Sequence, residues 1–329
     1  MGAHVLRQLA RHRASFTSSE GSIGTSSRPV PPPLFVGVQG PQGSGKTFLT
    51  SSLASALSRE PHSLRTAVLS IDDLYLPFSG LQAVSAENPG NLLLQGRGQP
   101  GTHDVPLGSK VLAALKSINE LGAEEVELPV FDKSLHGGKG DRLPEGSHVH
   151  GPLDIVLLEG WCVGFAPLPG KGSGAKSEDV RGTTIGKRWR EPVPSLGHGD
   201  ELHMDMEAFV KEERYVWEVN ERLKEYVEWW KMLDAFVQIR GPEDQRYRII
   251  YKWRMQQEHY MMVRNGGKGM KDDEIKNFVD RYIPGYVFFG DGVTEGWEVD
   301  GVYQEPPWKG RGLAISLGEN REMLRTDYF

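Results

Sequence analysis

Residues 34–47 read Leu-Phe-Val-Gly-Val-Gln-Gly-Pro-Gln-Gly-Ser-Gly-Lys-Thr, and no other stretch restricts the fold as much. A short β-forming apolar run enters Gly40-x-x-x-x-Gly45-Lys46-Thr47, after which Leu49, Leu53, Ala56 and Leu57 recur at helical spacing. Strand, glycine-rich loop and helix in that order are the setting of a phosphate-binding loop. A nucleotide's phosphates need many backbone N–H donors aimed at one small volume. The chain must therefore curl through conformations that side chains obstruct, and Gly40, Gly43 and Gly45 permit the curl. The helix starting near Lys46 points its unpaired N–H groups and its positive end at the same place. The loop, Gln42 and Ser44 included, is expected to wrap the phosphates of a nucleoside triphosphate. Lys46 would reach the β- and γ-phosphates, and the Thr47 hydroxyl would hold Mg²⁺.

The 329 residues, 38% hydrophobic and 25% charged, suffice for one large α/β domain with insertions. A formal charge of −6 gives no general pull toward nucleic acid or an anionic membrane. One cysteine, Cys162, excludes an internal disulfide framework and fits a reducing compartment. No apolar run approaches the about 20 residues that span a bilayer. The expectation is a soluble, cytoplasmic protein.

Residues 1–33 are expected to be disordered or a targeting segment. Arg7, Arg11 and Arg13 precede any acid, and Ser, Gly and a Pro run follow. That composition also suits a mitochondrial presequence, the alternative location. The working domain is then 34–329. Arg65–Ile71 reads as a second buried strand, closing on Asp72-Asp73-Leu74-Tyr75. Acids at the carboxyl edge of a parallel strand lie where doubly wound sheets bind ligands. There a carboxylate can take the proton of an attacking hydroxyl; a helix cap or surface turn is its other use. Residues 87–107 are too rich in Gly and Pro for regular structure, yet they carry Arg97, His103 and Asp104. A helix is expected over about 108–121 and a strand over 125–131. Asp154–Trp161 sets four consecutive apolar residues before Glu159, a buried strand delivering a carboxylate toward Mg²⁺.

Residues 166–200 read as a flexible insertion, with a basic cluster at Lys187-Arg188-Trp189-Arg190. A long amphipathic helix follows over about 203–233, then a strand at 235–241. A second helical stretch holds Arg254 and Glu258 at i,i+4: either a simple ion pair or part of a cationic lid, spanning about 240–283, that closes over the nucleotide. Leu313–Leu317 reads as an edge strand. Alternating strands and helices from residue 34 onward predict a mainly parallel, doubly wound sheet of the P-loop NTPase class with helices on both faces.

Several separate blocks resemble one family, the D-glycerate 3-kinases of plants and their fungal kinase relatives. They are the phosphate loop, Ser70-Ile71-Asp72-Asp73-Leu74-Tyr75, Arg97-Gly-Gln-Pro-Gly-Thr-His103-Asp104, Phe131-Asp132-Lys133-Ser134, Glu159-Gly-Trp161 and Trp253-Arg254-Met-Gln-Gln-Glu258. The resemblance runs from about 34 to 290 outside the insertion, and the Arg97–Asp104 block is its most specific part. It implies an ATP- and Mg²⁺-dependent small-molecule kinase with a mobile lid. Lys46, Asp72 and Arg254 would be catalytic, Asp72 as the base and Arg254 as a lid arginine. Asp73, Tyr75, Arg97, His103, Asp104, Asp132, Lys133 and Ser134 match blocks that would line the acceptor pocket; Thr47 and Glu159 would position the metal. Leu74 stands where the family usually has an aromatic residue, and the insertion follows the Glu159 strand. Glycerate is the leading acceptor, a nucleoside or pantothenate-like compound the runner-up, and a slow nucleotide-dependent switch the reading from another class.

Overall fold

The carboxyl end of strand β1 (Leu34–Gln39) feeds the phosphate loop, and every other element is placed around that junction. The structure is a computed structural model that describes residues 1–19, 30–123, 125–169, 184–191, 206–264, 266–299 and 301–329. β1 is flanked by β7 (Ile155–Gly160) and β8 (Ala235–Arg240), both parallel to it. Beyond β7 lies β2 (Thr66–Ser70), and beyond β8 lies β11 (Gly312–Leu317), again parallel. Only the outermost strand, β12 (Met323–Tyr328), runs antiparallel, giving a six-stranded order β12-β11-β8-β1-β7-β2. β1 and β7 are buried along their whole lengths, as the unbroken apolar runs of strands covered on both faces require. The expected edge strand at 313–317 is therefore second from the edge.

Helix α1 (Gly2–Ser19) precedes β1, and α2 (Lys46–Leu57) follows the phosphate loop. The disorder expected over 1–33 does not hold for α1. Its apolar face is thin, but Val5 and Leu9 reach the core and His4 Nε2 lies 3.2 Å from the Arg311 carbonyl. Residues 20–29 of that segment lie outside the described residues. α3 (Phe78–Glu87) and α4 (Val105–Lys116) follow β2; α4 starts and stops a few residues earlier than the periodicity suggested. The strand expected over 125–131 is not in the main sheet. β3 (Glu125–Leu128) pairs antiparallel with β6 (Ser147–His150), and β4 (Phe131–Asp132) pairs with β5 (Asp141–Arg142). Between them α5 (Leu135–Gly138) is a single turn broken by positive φ at His136 and Gly137.

Of the insertion expected at 166–200, residues 170–183 and 192–200 lie outside the described residues. The piece between them contains a helix, α6 (Thr184–Trp189). Its Arg188 donates to the Val287 and Phe288 carbonyls and pairs with Asp291, so part of the basic cluster is structural. The long helix expected at about 203–233 is broken into α7 (Glu213–Leu223), a 3₁₀ turn and α8 (Val227–Trp230), whose Trp229 and Trp230 are buried. Then come α9 (Arg248–Arg264), α10 (Asp272–Asp280), α11 (Ile283–Phe289) and α12 (Gly292–Glu295). Pro284 sits in the first turn of α11, where its missing N–H costs nothing. A small hairpin, β9 (Trp297–Val299) with β10 (Val302–Gln304), leads to β11.

Candidate active site

Strands β1, β7 and β2 end side by side, so whatever follows each of them is gathered at one edge of the sheet. Glu159 is registered against Val38 on one side and Ser70 on the other. That register puts one carboxylate between the phosphate loop and the Asp72 turn.

The loop has the expected curl. Gly43 and Gly45 take φ of 76° and 84°, and Gly45 is the residue before α2. Two contacts from distant parts of the chain hold it from outside: Tyr286 donates to Gln42 Oε1 at 2.7 Å, and Arg321 Nε donates to the Gly43 carbonyl at 2.8 Å. Ser44 is buried, and its Oγ has no partner among the described residues.

Thr47 Oγ1 donates to Glu159 Oε1 at 2.9 Å. Glu159 is 1% exposed, and its Oε2 is buried without a hydrogen-bond partner among the described residues. A buried, half-satisfied carboxylate beside a hydroxyl suits a hard cation with oxygen ligands. Among the described residues no three metal-ligating side chains converge. Mg²⁺ is commonly held by one or two carboxylates plus substrate phosphates, so the residues present fit it.

Asp72 lies in a one-turn 3₁₀ segment, Ile71–Leu74, and its own N–H donates to the capping Ser70 hydroxyl at 3.3 Å. Its Oδ1 accepts from the Tyr75 hydroxyl at 3.1 Å, and its Oδ2 is ion-paired with Lys133. Burial would push this carboxyl up, but the Lys133 and Lys46 ammoniums outweigh it and hold Asp72 well below the usual carboxylate range. Asp73 behaves oppositely. Burial and the charges of Asp72 and Glu159 raise it, against a hydrogen bond from Phe131 N at 3.1 Å and the Lys133 charge. One carboxylate firmly ionised beside one biased toward its acid is an arrangement that separates roles.

His103 is buried, stacked on Tyr75 at 4.3 Å between centroids, with Nδ1 2.7 Å from the Tyr226 hydroxyl. Tyr226 also accepts from Gly101 N at 2.9 Å, so its hydroxyl ties the imidazole to the Gly101 turn. Burial lowers its pKa to about 3, so the ring is neutral in ordinary buffers. The main chain of 102–104 bonds to Leu74 and Leu76, which is why the two sequence blocks meet.

The remaining expected residues divide. Arg97 lies over the Phe131 ring at 5.9 Å and donates to the Gly138 and Lys139 carbonyls, beside Lys133. Asp104 is engaged by other partners: it caps α4 by accepting from Leu107 N at 3.0 Å and pairs with Arg142 at 3.0 Å. Arg142 in turn donates to the Tyr75 carbonyl at 2.7 Å, a brace absent from the sequence reading. Asp132 and Ser134 close a turn on each other, at 2.8 Å through Ser134 N and 2.7 Å through its hydroxyl. The turn presents Lys133 to Asp72. Arg254 forms the simple i,i+4 pair with Glu258 at 2.7 Å, nearly buried, with Nη1 unpartnered among the described residues.

No family profile matches the chain. The chloroplastic D-glycerate 3-kinase of Arabidopsis thaliana is 32% identical over 322 residues, 96% of this chain but 58% of that protein's length. The uncharacterized kinase mug58 of Schizosaccharomyces pombe is 36% identical over 265 residues, 80% of this chain and 83% of its own. A solved D-glycerate 3-kinase from Cryptococcus neoformans is 35% identical, covers 100% of this chain and 97% of that one, and aligns with a TM-score of 0.78. The chain belongs to the D-glycerate 3-kinase family. It is accordingly an ATP-dependent kinase on the P-loop fold, acting on a small molecule. In this kinase the phosphate loop, Glu159 and the Asp72 turn lie at the ends of β1, β7 and β2, with Lys133 paired to Asp72, while Asp104 caps α4.

Proposed function

We propose that the kinase transfers the γ-phosphate of ATP to a hydroxyl of D-glycerate, forming 3-phosphoglycerate. The observation that carries the reading is Asp72: an ionised carboxylate after β2, separated from the phosphate loop by the single strand β7, flanked by Lys133 and with Arg97 beyond it. A glycerate hydroxyl would approach Asp72, whose two oxygens keep spare lone pairs beside Tyr75 and Lys133. The glycerate carboxylate would then take Lys133 or Arg97 as its counter-charge. Asp72 receives the proton, and Lys46 neutralises charge on the transferring phosphoryl group. Thr47 and Glu159 would hold Mg²⁺, which when bound shields the phosphate oxygens. Arg254 would add transition-state charge stabilisation, and the helices between about 240 and 283 would form the lid.

The names of the relatives support glycerate as acceptor. ADP release measured with glycerate, uridine, pantothenate and no acceptor tests it. Glycerate-dependent turnover lowered by about 10²–10⁴ in Asp72→Asn is the expected result; acceptor-independent turnover that survives the change would sink the reading in favour of a switch. A cytoplasmic location goes with this reading, since Val5 and Leu9 of α1 pack into the core and cleavage of a presequence would strip them out. Among the described residues no helix is long and apolar enough to cross a membrane. The mature N-terminus, read by mass spectrometry, decides between cytoplasm and mitochondrion.

A further inference from the structure

The turn between β11 and β12, Gly318–Glu322, is far from the acceptor blocks in sequence, yet it touches the phosphate loop. The turn is closed by Gly318 N to Glu322 O at 2.8 Å and Arg321 N to Gly318 O at 2.9 Å. Arg321 itself sits at φ 65°, a left-handed conformation that a long side chain rarely adopts. Its guanidinium then makes contacts in three directions. Nε donates to the Gly43 carbonyl at 2.8 Å, Nη2 to the Trp253 carbonyl at 3.1 Å and Nη1 to Gln256 Oε1 at 2.8 Å. The same turn takes α9 twice more, through Trp253 Nε1 to Glu319 O at 3.0 Å and through the Lys252–Glu319 ion pair.

The Gly43 carbonyl belongs to the peptide that joins Gly43 to Ser44, with Gly45 one residue further on. Gly43 on its N-terminal side leaves that peptide plane freer to rotate than between two residues with side chains, because no Cβ penalises the alternative ψ values at that residue. In this structure both of its polar ends are engaged: the carbonyl by Arg321, and the Ser44 N–H by the Pro41 carbonyl at 3.2 Å. On the other side of the loop α9 lies against the backbone. A Cβ added to Gly43 would come within 2.4 Å of the Trp253 carbonyl carbon. Loop, helix and turn therefore meet at one guanidinium.

We propose that Arg321 is a positioning residue for nucleotide binding: it fixes the Gly43–Ser44 peptide and the first turns of α9 in one register, so that the phosphate cradle is formed before ATP arrives. Arg321 also anchors the residue just before Arg254, so the base of the helix is fixed and closure by this region would be left to its far end, where Tyr260 and Val263 are exposed. The inference rests on ATP binding alone and does not depend on which acceptor is used.

The test is the affinity of Arg321→Ala and Arg321→Lys for MgADP by calorimetry, alongside KM for ATP, KM for acceptor and thermal midpoint. Losing a charge-assisted hydrogen bond to the loop is expected to weaken MgADP and raise KM for ATP by about tenfold in Arg321→Ala. KM for acceptor should stay near wild type, and the midpoint of the ligand-free protein should fall by no more than a few degrees, the share of the three lost hydrogen bonds. Arg321→Lys keeps the charge but not the three-way geometry, so it should recover little of the loss, whereas added guanidinium ion should recover part of it in Arg321→Ala. Unchanged MgADP affinity overturns the proposal. So does a loss of affinity that tracks a fall in midpoint and a parallel rise in acceptor KM, which is what a merely structural arginine would give. Because MgADP binding needs no acceptor, a wrong assignment of glycerate would leave this result readable.

Discussion

The Lys133 ammonium is ion-paired with the Asp72 carboxylate, joining the turn after β4 to the turn after β2. This pair sets the state of the proposed base. Asp72 keeps 28% of its side chain exposed at the mouth of the site, so solvent screens the pair in part, but Lys46 adds its charge in the same sense. The carboxylate is thus ionised throughout the neutral range. Asp72→Asn is expected to lower kcat by about 10²–10⁴ with little change in KM for ATP.

Lys133→Met should reveal what the ammonium does. With the largest opposing charge gone, burial is left to raise the Asp72 pKa, and the acid limb of kcat/KM for the acceptor should move to higher pH. In the wild-type protein Asp72 contributes no limb above the ordinary carboxylate value of about 4. A pH–rate profile of the two proteins checks this; an acid limb that stays in place would show that Asp72 is not the titrating base.

Glu159 is the second carboxylate of the edge, tied to Thr47 at 2.9 Å with one oxygen buried and unsatisfied among the described residues. Glu159→Gln keeps the shape and removes the charge. The Mg²⁺ concentration for half-maximal rate should rise by roughly 10–100-fold, while KM for acceptor changes little. A magnesium titration at fixed ATP reads the shift, and an unchanged midpoint would remove Glu159 from the metal's surroundings.

How much of this was legible follows the range of the interactions. The phosphate loop, β7 and its closing Glu159 were readable because strand, turn and helix signals are local, and the parallel sheet follows from their alternation. Asp104 shows the limit. An acid in a Gly/Pro-rich loop looks the same whether it faces a pocket or caps a helix, and here Leu107 N and Arg142 claim it. α1 was missed because two buried apolar residues suffice when the rest of the sheet supplies the surface. Tyr286 and Arg321 reach the loop from 244 and 278 residues away, a distance at which periodicity and turn chemistry carry no information.

His103 supplies a stability prediction. Its folded pKa of about 3 lies below the unfolded value of about 6.5, so between them the unfolded chain binds a proton that the folded chain refuses. Its stabilising effect is complete above pH 6.5 and is lost as pH falls from there toward 3. Urea unfolding should show stability dropping between pH 6.5 and about 4, before ordinary carboxylates protonate. His4, also buried and lowered, adds to the same slope. His103→Gln should flatten it, and an unchanged slope would mean that the ring is solvated in the folded protein.

Asp104→Ala separates capping from substrate binding. The change removes the side-chain acceptor of Leu107 N at the start of α4 and leaves the Arg142 guanidinium, which braces Tyr75, without its carboxylate. Loss of a cap costs about 1 kcal/mol, and the stranded, partly exposed arginine adds to it only modestly because water can reach it. The thermal midpoint should therefore fall by a few degrees while KM for the acceptor stays near wild type, since both Asp104 carboxylate oxygens are engaged by Leu107 N and Arg142. Asp104→Asn retains an oxygen for Leu107 N and should recover much of the midpoint. If Asp104→Ala instead raised acceptor KM by about tenfold at an unchanged midpoint, the carboxylate would belong to the pocket after all, and the hydrogen bond to α4 would be incidental.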